Sequence, residues 1–299
     1  MNRIVVTGAS GQLGQALQRL VWEPSTDLIA LSSTQLDVTD PEAVSTMAAD
    51  TKPNVIINAA AYTAVDAAED HPDAAFAVNA EAVGHLADAA NRHDAFLIHV
   101  STDYVFDGLK GEPYVEQDPI SPIGVYGRSK AAGEAAAATA DKAVTLRTSW
   151  LYGSDGNNFV STMLRLASER DHIGVVGDQV GCPTAVPNLA RCIQELIEAT
   201  DAGMNLPSER TYHAVCTGSA TWFDLAQAVF DASAAGFSGQ LAKLTTSEYP
   251  TKATRPPDSR LDCSSLENQF GISLGPWRPA LEPVVAELEK SKSESIISG

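Results

Sequence analysis

An α/β fold, with a doubly wound parallel sheet and a smaller C-terminal lobe, is predicted by two observations. Short apolar runs alternate with alanine-rich helical stretches along the first half of the 299-residue chain, and a glycine loop follows directly on the first run. That run, residues 4–6, is Ile-Val-Val, and β-branched side chains suit a pleated, buried strand. It leads into Thr7-Gly8-Ala9-Ser10-Gly11-Gln12-Leu13-Gly14, a GxxGxxG loop that continues as a helix over 11–20. Glycine there permits the tight turn, lets a diphosphate approach the backbone and lets helix pack closely on strand. The free N–H groups at the helix start then face the anion. Further strands are predicted at 28–31, 55–58, 96–101 and 143–147, with helices at 41–49, 74–92 and 126–140. The runs are apolar nearly throughout, as strands buried on both faces are. This is a Rossmann-like arrangement, in which crossovers are right-handed and ligands gather at the carboxyl ends of the strands.

Beyond residue 150 the pattern loosens. Loops are predicted at Gly153–Asn158, Asp178–Thr184 and Thr254–Ser259, with helices at 159–170, 188–199, 222–232 and 281–290 and a frayed end from 291 to 299. The chain therefore divides into residues 1–152, an NAD(P)-binding half, and 153–299, mainly a substrate-binding lobe that returns one or more elements to the sheet.

Composition narrows the function. A formal net charge of −18 argues against nucleic-acid binding, which needs clustered Lys and Arg, and against adhesion to anionic membranes. No apolar run is long enough to span a bilayer, and the N-terminus enters a strand at once, which implies a cytoplasmic chain. The four cysteines form no CxxC pair and the six histidines no HxxxH or HExxH pattern, so reduced structural thiols and no zinc site are expected.

The chemistry is concentrated in Tyr126-Gly127-Arg128-Ser129-Lys130. Tyr126 and Lys130, four positions apart, share one helix face. An ammonium beside a phenol favours phenolate and is expected to lower the Tyr126 pKa from about 10, making it a proton donor to a developing alkoxide. Thr102, just past the fourth strand, offers a hydroxyl to the same oxygen. After the second strand stand Ser32-Ser33-Thr34, with neither an acid to hold a ribose hydroxyl nor an Arg to hold a phosphate; the missing carboxylate tilts the reading to NADPH over NADH. Asp37 either bonds an adenine amino group or closes a turn.

Several further runs point to one family. Gly8–Gly14, Asn58-Ala59-Ala60-Ala61-Tyr62-Thr63, Ser101-Thr102-Asp103-Tyr104-Val105-Phe106, Tyr126–Lys130, Arg147-Thr148-Ser149-Trp150, Asp178-Gln179-Val180-Gly181-Cys182-Pro183-Thr184 and Arg255-Pro256-Pro257-Asp258-Ser259 resemble the dTDP-4-dehydrorhamnose reductases, in order from residue 4 to about 260. These are extended short-chain dehydrogenase/reductases. The resemblance implies NAD(P)H-dependent reduction of a nucleotide-sugar 4-ketone, with Tyr126 as proton donor, Lys130 tuning it and holding the nicotinamide ribose, and Thr102 orienting the carbonyl. It implies Gly8, Gly11, Gln12, Leu13 and Gly14 at the cofactor diphosphate, Asp37 and Val38 at the adenine, and Ala60, Ala61 and Thr63 along the cofactor path. Thr102, Asp103, Trp150, Asn158, Gln179 and Arg255 would meet the substrate. Some members dimerise around Mg²⁺ held by glutamates. Here the helix opening Gln15-Ala16-Leu17-Gln18 carries no carboxylate, so a monomer or a metal-free homodimer is expected. A nucleotide-sugar dehydratase or epimerase is the enzymatic rival, but dehydratases carry Thr-Asp-Glu where this chain has Thr102-Asp103-Tyr104. A regulatory subunit like that of methionine adenosyltransferase is the non-catalytic rival, and it need not keep both Tyr126 and Lys130.

Overall fold

A computed structural model describes residues 2–201 and 210–297. In chain order its first half holds β1 (Asn2–Thr7), α1 (Gln12–Arg19), β2 (Thr26–Leu31), α2 (Pro41–Thr51), β3 (Val55–Asn58), α3 (Val65–Ala68), α4 (Pro72–Phe76), α5 (Ala82–His93), β4 (Phe96–Thr102), α6 (Val125–Ala137) and β5 (Ala143–Thr148). The second half holds β6 (Leu151–Tyr152), α7 (Phe159–Glu169), β7 (His172–Val176), β8 (Val180–Gly181), β9 (Thr184–Ala185), α8 (Val186–Asp201), β10 (Thr211–His213), β11 (Ala220–Thr221), α9 (Trp222–Ala232), β12 (Gln240–Leu244), α10 (Ser264–Phe270) and α11 (Trp277–Ile297).

A six-stranded parallel sheet runs in the order β10-β5-β4-β3-β1-β2. The chain steps outward from β1 to β2, then crosses back and builds the other side, so the reversal falls between β1 and β3. Such a switch point opens a crevice at the carboxyl ends of the strands. Here Thr7 lies opposite Asn58, and its hydroxyl donates to Asn58 Oδ1 at 2.8 Å. Side chains alternate across the sheet. Ile4 and Val6 enter one core with Leu17, Leu189, Leu225 and Val285 from α1, α8, α9 and α11. Val5, Ile56 and Leu97 enter the other with Val44, Leu86 and Ala137 from α2, α5 and α6. Edge strand β2 is half-buried along its whole length, unlike the strands inside it.

Three local predictions change. The helix expected over 74–92 is broken by a π turn at Ala77–Glu81. There Asn79 is fully buried, accepts from Tyr62 N at 2.8 Å and donates to Ser129 Oγ at 3.0 Å, so the wider turn ties the loop after β3 to α6. The last helix starts four residues early, at Trp277, and continues to Ile297 in place of a frayed end at 291; residues 298 and 299 lie outside the described residues. The C-terminal lobe also contains a parallel pair, β7 with β12, that its mixed composition did not announce.

Candidate active site

The glycine loop is bare backbone packed on backbone. A Cβ on Gly8, where φ is +71°, would fall 2.7 Å from Ala59 O, and one on Gly14 would fall 2.3 Å from Gly8 O. Helix α1 has Gly11 at its N-cap, without a side-chain cap and with no acid in its first turn. Its first amides and the positive end of its dipole are thereby left for an anion. These features fit the diphosphate of a dinucleotide.

Two cavities meet along this loop and share Gly11, Ala59, Ala60 and Ala61. One, of about 340 Å³, is lined by Gly8, Ser33, Asp37, Val38 and Thr39. Asp37 closes a turn here, accepting from Thr39 N at 2.9 Å and Thr39 Oγ1 at 2.7 Å, and these bonds hold its carboxyl below the usual range. It lines the cavity at the same time. The other, of about 430 Å³, gathers Gln12, Leu13, Thr63, Thr102, Asp103, Tyr126, Lys130, Trp150 and Asn158. Elements far apart in sequence thus converge at the carboxyl edges of β1, β3, β4 and β5.

Helix α6 is placed by three devices. Glu69 Oε1 accepts from Val125 N at 2.7 Å, which satisfies an amide of the first turn and sets a negative charge at the positive helix end. The π turn holds Ser129. Gly127 lets the helix lie against the loop after β4, since a Cβ there would come within 2.2 Å of Tyr104 O. Tyr126 consequently meets Tyr104 edge-on, with ring centroids 5.8 Å apart at 80°.

The electrostatics correct one expectation. Lys130 does not lower the Tyr126 pKa: removal from water pushes the phenol up to about 12, the nearby Asp103 charge adds to this, and a hydrogen bond with Thr102 opposes it. Lys130 is itself 2% exposed, and its ammonium donates to Val100 O at 2.6 Å. Burial lowers it to about 8, against the pull of the Glu134 charge. Spacing placed the two groups on one helix face but could not reveal that a strand carbonyl holds the lysine. Asp103 is raised to about 6 by burial, although Ser259 Oγ donates to it at 2.5 Å, Ser149 Oγ at 2.8 Å and Thr102 Oγ1 at 3.0 Å.

Six substrate residues were predicted, and the structure divides them. Thr102, Asp103, Trp150 and Asn158 line the cavity with Tyr126. Asn158 also caps α7, accepting from Ser161 N at 3.1 Å, and donates to Gln12 Oε1 at 2.9 Å, so it sits against the glycine-loop helix. Gln179 and Arg255 line a third cavity of about 320 Å³ with Phe159, Met163, Trp222 and Tyr249. Arg255 was expected to meet the substrate, and it lines this cavity already engaged by a carboxylate. Its guanidinium forms a two-pronged pair with Asp66, at 2.8 and 3.1 Å. Sequence reasoning missed Ser149 and Ser259, which clamp Asp103, and Thr148, a buried cavity-lining residue whose hydroxyl finds no partner among the described residues. All three fall inside the quoted runs, and only their position beside Asp103 and the cavity distinguishes them. Among the described residues no cluster of His, Cys, Asp or Glu could hold a metal ion, and no helix is long and apolar enough to cross a membrane.

A parallel sheet with a glycine loop at its switch point and a Tyr–Lys helix beside β4 defines a short-chain dehydrogenase/reductase of the extended type. The model for the RmlD substrate binding domain matches residues 1–290. A dTDP-4-dehydrorhamnose reductase from Aggregatibacter actinomycetemcomitans is 43% identical over 97% of this chain and 100% of its own length. The crystal structure of such a reductase from Clostridium acetobutylicum superposes with a TM-score of 0.90 at 38% identity, over 96% of this chain and 99% of that one. One from Bacillus anthracis, in complex with NADP, superposes with a TM-score of 0.89 at 38% identity, over 96% and 100%. The chain belongs to the dTDP-4-dehydrorhamnose reductase family.

Proposed function

We propose that the protein reduces the C4 ketone of dTDP-4-dehydro-6-deoxy-L-mannose to dTDP-L-rhamnose with NADPH, or with NADH in its place. The observation that carries this is the convergence of Tyr126, Lys130 and Thr102 in a cavity continuous with the glycine loop. The cofactor would lie with its adenosine end near Asp37 and Val38, its diphosphate at Gly8–Gly14, and its nicotinamide end near Ala60, Ala61, Thr63 and Lys130. When bound it supplies the hydride to the sugar carbonyl carbon. Tyr126 then gives its phenolic proton to the carbonyl oxygen, which becomes the alcohol. A phenol with a pKa of about 12 is protonated at neutral pH, the state a proton donor requires. The Thr102 hydroxyl aligns the oxygen, and Lys130, fixed by Val100 O, holds positive charge beside it. Asp103 accepts from sugar hydroxyls when ionised. Gln179 and Arg255, across the Trp150 wall, serve the nucleoside diphosphate. In this reading residues 1–152 hold the cofactor and residues 153–299 mainly hold the substrate, with α8 and β10 lent back to the sheet.

We place the enzyme in the cytoplasm, as a monomer or homodimer acting without nucleic acid or membrane; its cysteines are unpaired, three of them buried. Cell fractionation tests the placement, and recovery in the membrane pellet would refute it. The decisive experiment is NADPH consumption with enzymatically generated dTDP-4-dehydrorhamnose beside UDP- and GDP-linked 4-ketosugars. No consumption with the dTDP sugar would defeat the reading.

A further inference from the structure

Trp150 is held in a conformation that its size disfavours. Its φ is +47°, in the left-handed region that a bulky side chain rarely adopts, so the surroundings must impose it. Its indole stacks on that of Trp222 with centroids 3.5 Å apart and planes 7° from parallel. Gly181 makes the room, since a Cβ there would lie 2.5 Å from Trp150 Cε2. On its other side Trp222 leans against Phe159, at 4.7 Å and 46°. The first of the two indoles lines the cavity of Tyr126 and the second lines the cavity of Gln179 and Arg255, so the stacked pair is the partition between them.

Trp222 is itself locked. It is the first residue of α9, whose cap Thr221 accepts from Asp224 N at 3.0 Å while Asp224 Oδ2 accepts from Thr221 N at 3.0 Å. The same cap residue pairs with Val180 in the short antiparallel ladder of β8 and β11, which also sets Ala220 opposite Gly181. One ladder therefore fixes the floor under Trp150, the ring on top of it and the approach to Gln179.

We propose that Trp222 is a positioning residue: it holds the Trp150 indole as the wall between the two cavities and thereby sets how a nucleotide-sugar spans them. The inference rests on the reading that the sugar meets Trp150 and the nucleotide lies beyond it. Trp222 lines neither the Tyr126 cavity nor the cavity of Asp37 and Val38, so its loss acts on substrate placement. Without the Trp222 ring stacked on it, the Trp150 indole is free to turn, and a wall that moves no longer discriminates.

Trp222→Leu and Trp222→Met remove the ring, with the flexible methionine carried in case the leucine variant does not fold. Trp222→Phe restores a ring against Trp150, and Trp150→Ala is measured in parallel. The readouts are near-UV circular dichroism of the stacked indoles, KM for dTDP-4-dehydrorhamnose, kcat, and NADPH affinity by fluorescence. The expected result is loss of the tryptophan signal and a KM raised about tenfold in the leucine and methionine variants, with NADPH affinity kept within about twofold and KM largely restored by phenylalanine. A KM that stays near wild type while Trp150→Ala raises it overturns the role of Trp222 alone. An equal loss of NADPH affinity and of substrate affinity overturns it as well, because that marks general damage. If Trp150→Ala also leaves KM unmoved, the placement of the sugar at Trp150 falls and takes the proposal with it.

Discussion

Tyr126→Phe deletes one oxygen and little else, which makes it the sharpest test of the proposed chemistry. The ring keeps its edge-on contact with Tyr104, at 5.8 Å and 80°, so α6 keeps that anchor. Helix α6 also keeps the Glu69 bond to Val125 N and the Asn79 bond to Ser129, neither of which involves the phenol. What is lost is the acid. With a pKa of about 12 the phenol is un-ionised in nearly every molecule at pH 7, so under the proposed chemistry it is available as the donor in each turnover. Positioned general acids are worth about 100- to 10,000-fold in rate. At about 1.36 kcal/mol per decade that is about 3–5 kcal/mol of barrier. The assay is single-turnover NADPH oxidation with saturating dTDP-4-dehydrorhamnose, alongside NADPH affinity by fluorescence. Affinity should hold within about twofold while the rate falls by at least about 100-fold. A rate within about threefold of wild type would show that the proton comes from elsewhere and would falsify the assignment of Tyr126.

Lys130→Met should harm both chemistry and cofactor affinity, because in the proposed reading one ammonium serves the reacting oxygen and the nicotinamide ribose. NADPH affinity and the pH–rate profile measured together decide it, and if both are unchanged the lysine is a bystander. In the wild type, kcat/KM should fall above about pH 8 as Lys130, lowered by burial, loses its proton. It should also fall below about pH 6 as Asp103, raised by burial, gains one and can no longer accept freely from a sugar hydroxyl. Asp103→Asn should remove the acid limb, and a limb that persists in that variant belongs to another group. Arg255→Ala should raise the substrate KM ten- to a hundredfold, since losing a charged hydrogen bond costs about 1.5–3 kcal/mol. Asp66, left behind, is 45% exposed and water re-solvates it, so thermal stability should change little. A loss of NADPH affinity with normal KM would mean that the two ligands have been placed the wrong way round.

The fold was legible because each level of the sequence agreed. Five of the six strands of the main sheet carry short, mostly apolar runs, and the glycine loop falls where a parallel sheet needs it. The sixth, Thr211–His213, is three residues long, and its role is set by pairing with β5 and not by its own pattern. The π turn was hidden for a similar reason: alanine-rich residues 74–92 read as one helix, and only the tertiary demand on Asn79 widens the turn. Within the site, motif spacing located Tyr126, Lys130, Thr102 and Asp103. It could not show that Lys130 is tied to Val100 O, that Arg255 is held by Asp66, or that Ser259 reaches Asp103 from 156 residues away. Such contacts are created by the fold, and local patterns carry no signal for them.

The same burial that suits the site to its chemistry works against the stability of the fold, and the sign can be followed group by group. Asp103 has a folded-state pKa of about 6 against an ordinary 3.8, so the native chain holds that proton more tightly than the unfolded one. Below about pH 4 Asp103 is protonated in both states and costs nothing; the cost grows as pH rises to about 6 and is complete above that. Lys130, lowered from 10.5 to about 8, is costly wherever it is charged, and that cost is relieved as pH rises from about 8 to about 10.5. Between pH 6 and 8 both groups are charged, which is where the proposed reaction needs them and where they stabilise the fold least. The shift on Asp103 is about two pH units, or about 3 kcal/mol as an upper bound. Asp103→Asn keeps an oxygen for Thr102 and an amide for a serine oxygen while removing the buried charge. At pH 7 it should therefore raise the urea midpoint, by no more than that bound, while substrate reduction suffers. A midpoint lowered by the substitution would mean that the three hydroxyls around Asp103 compensate its charge fully, and that burial is not what raises its pKa.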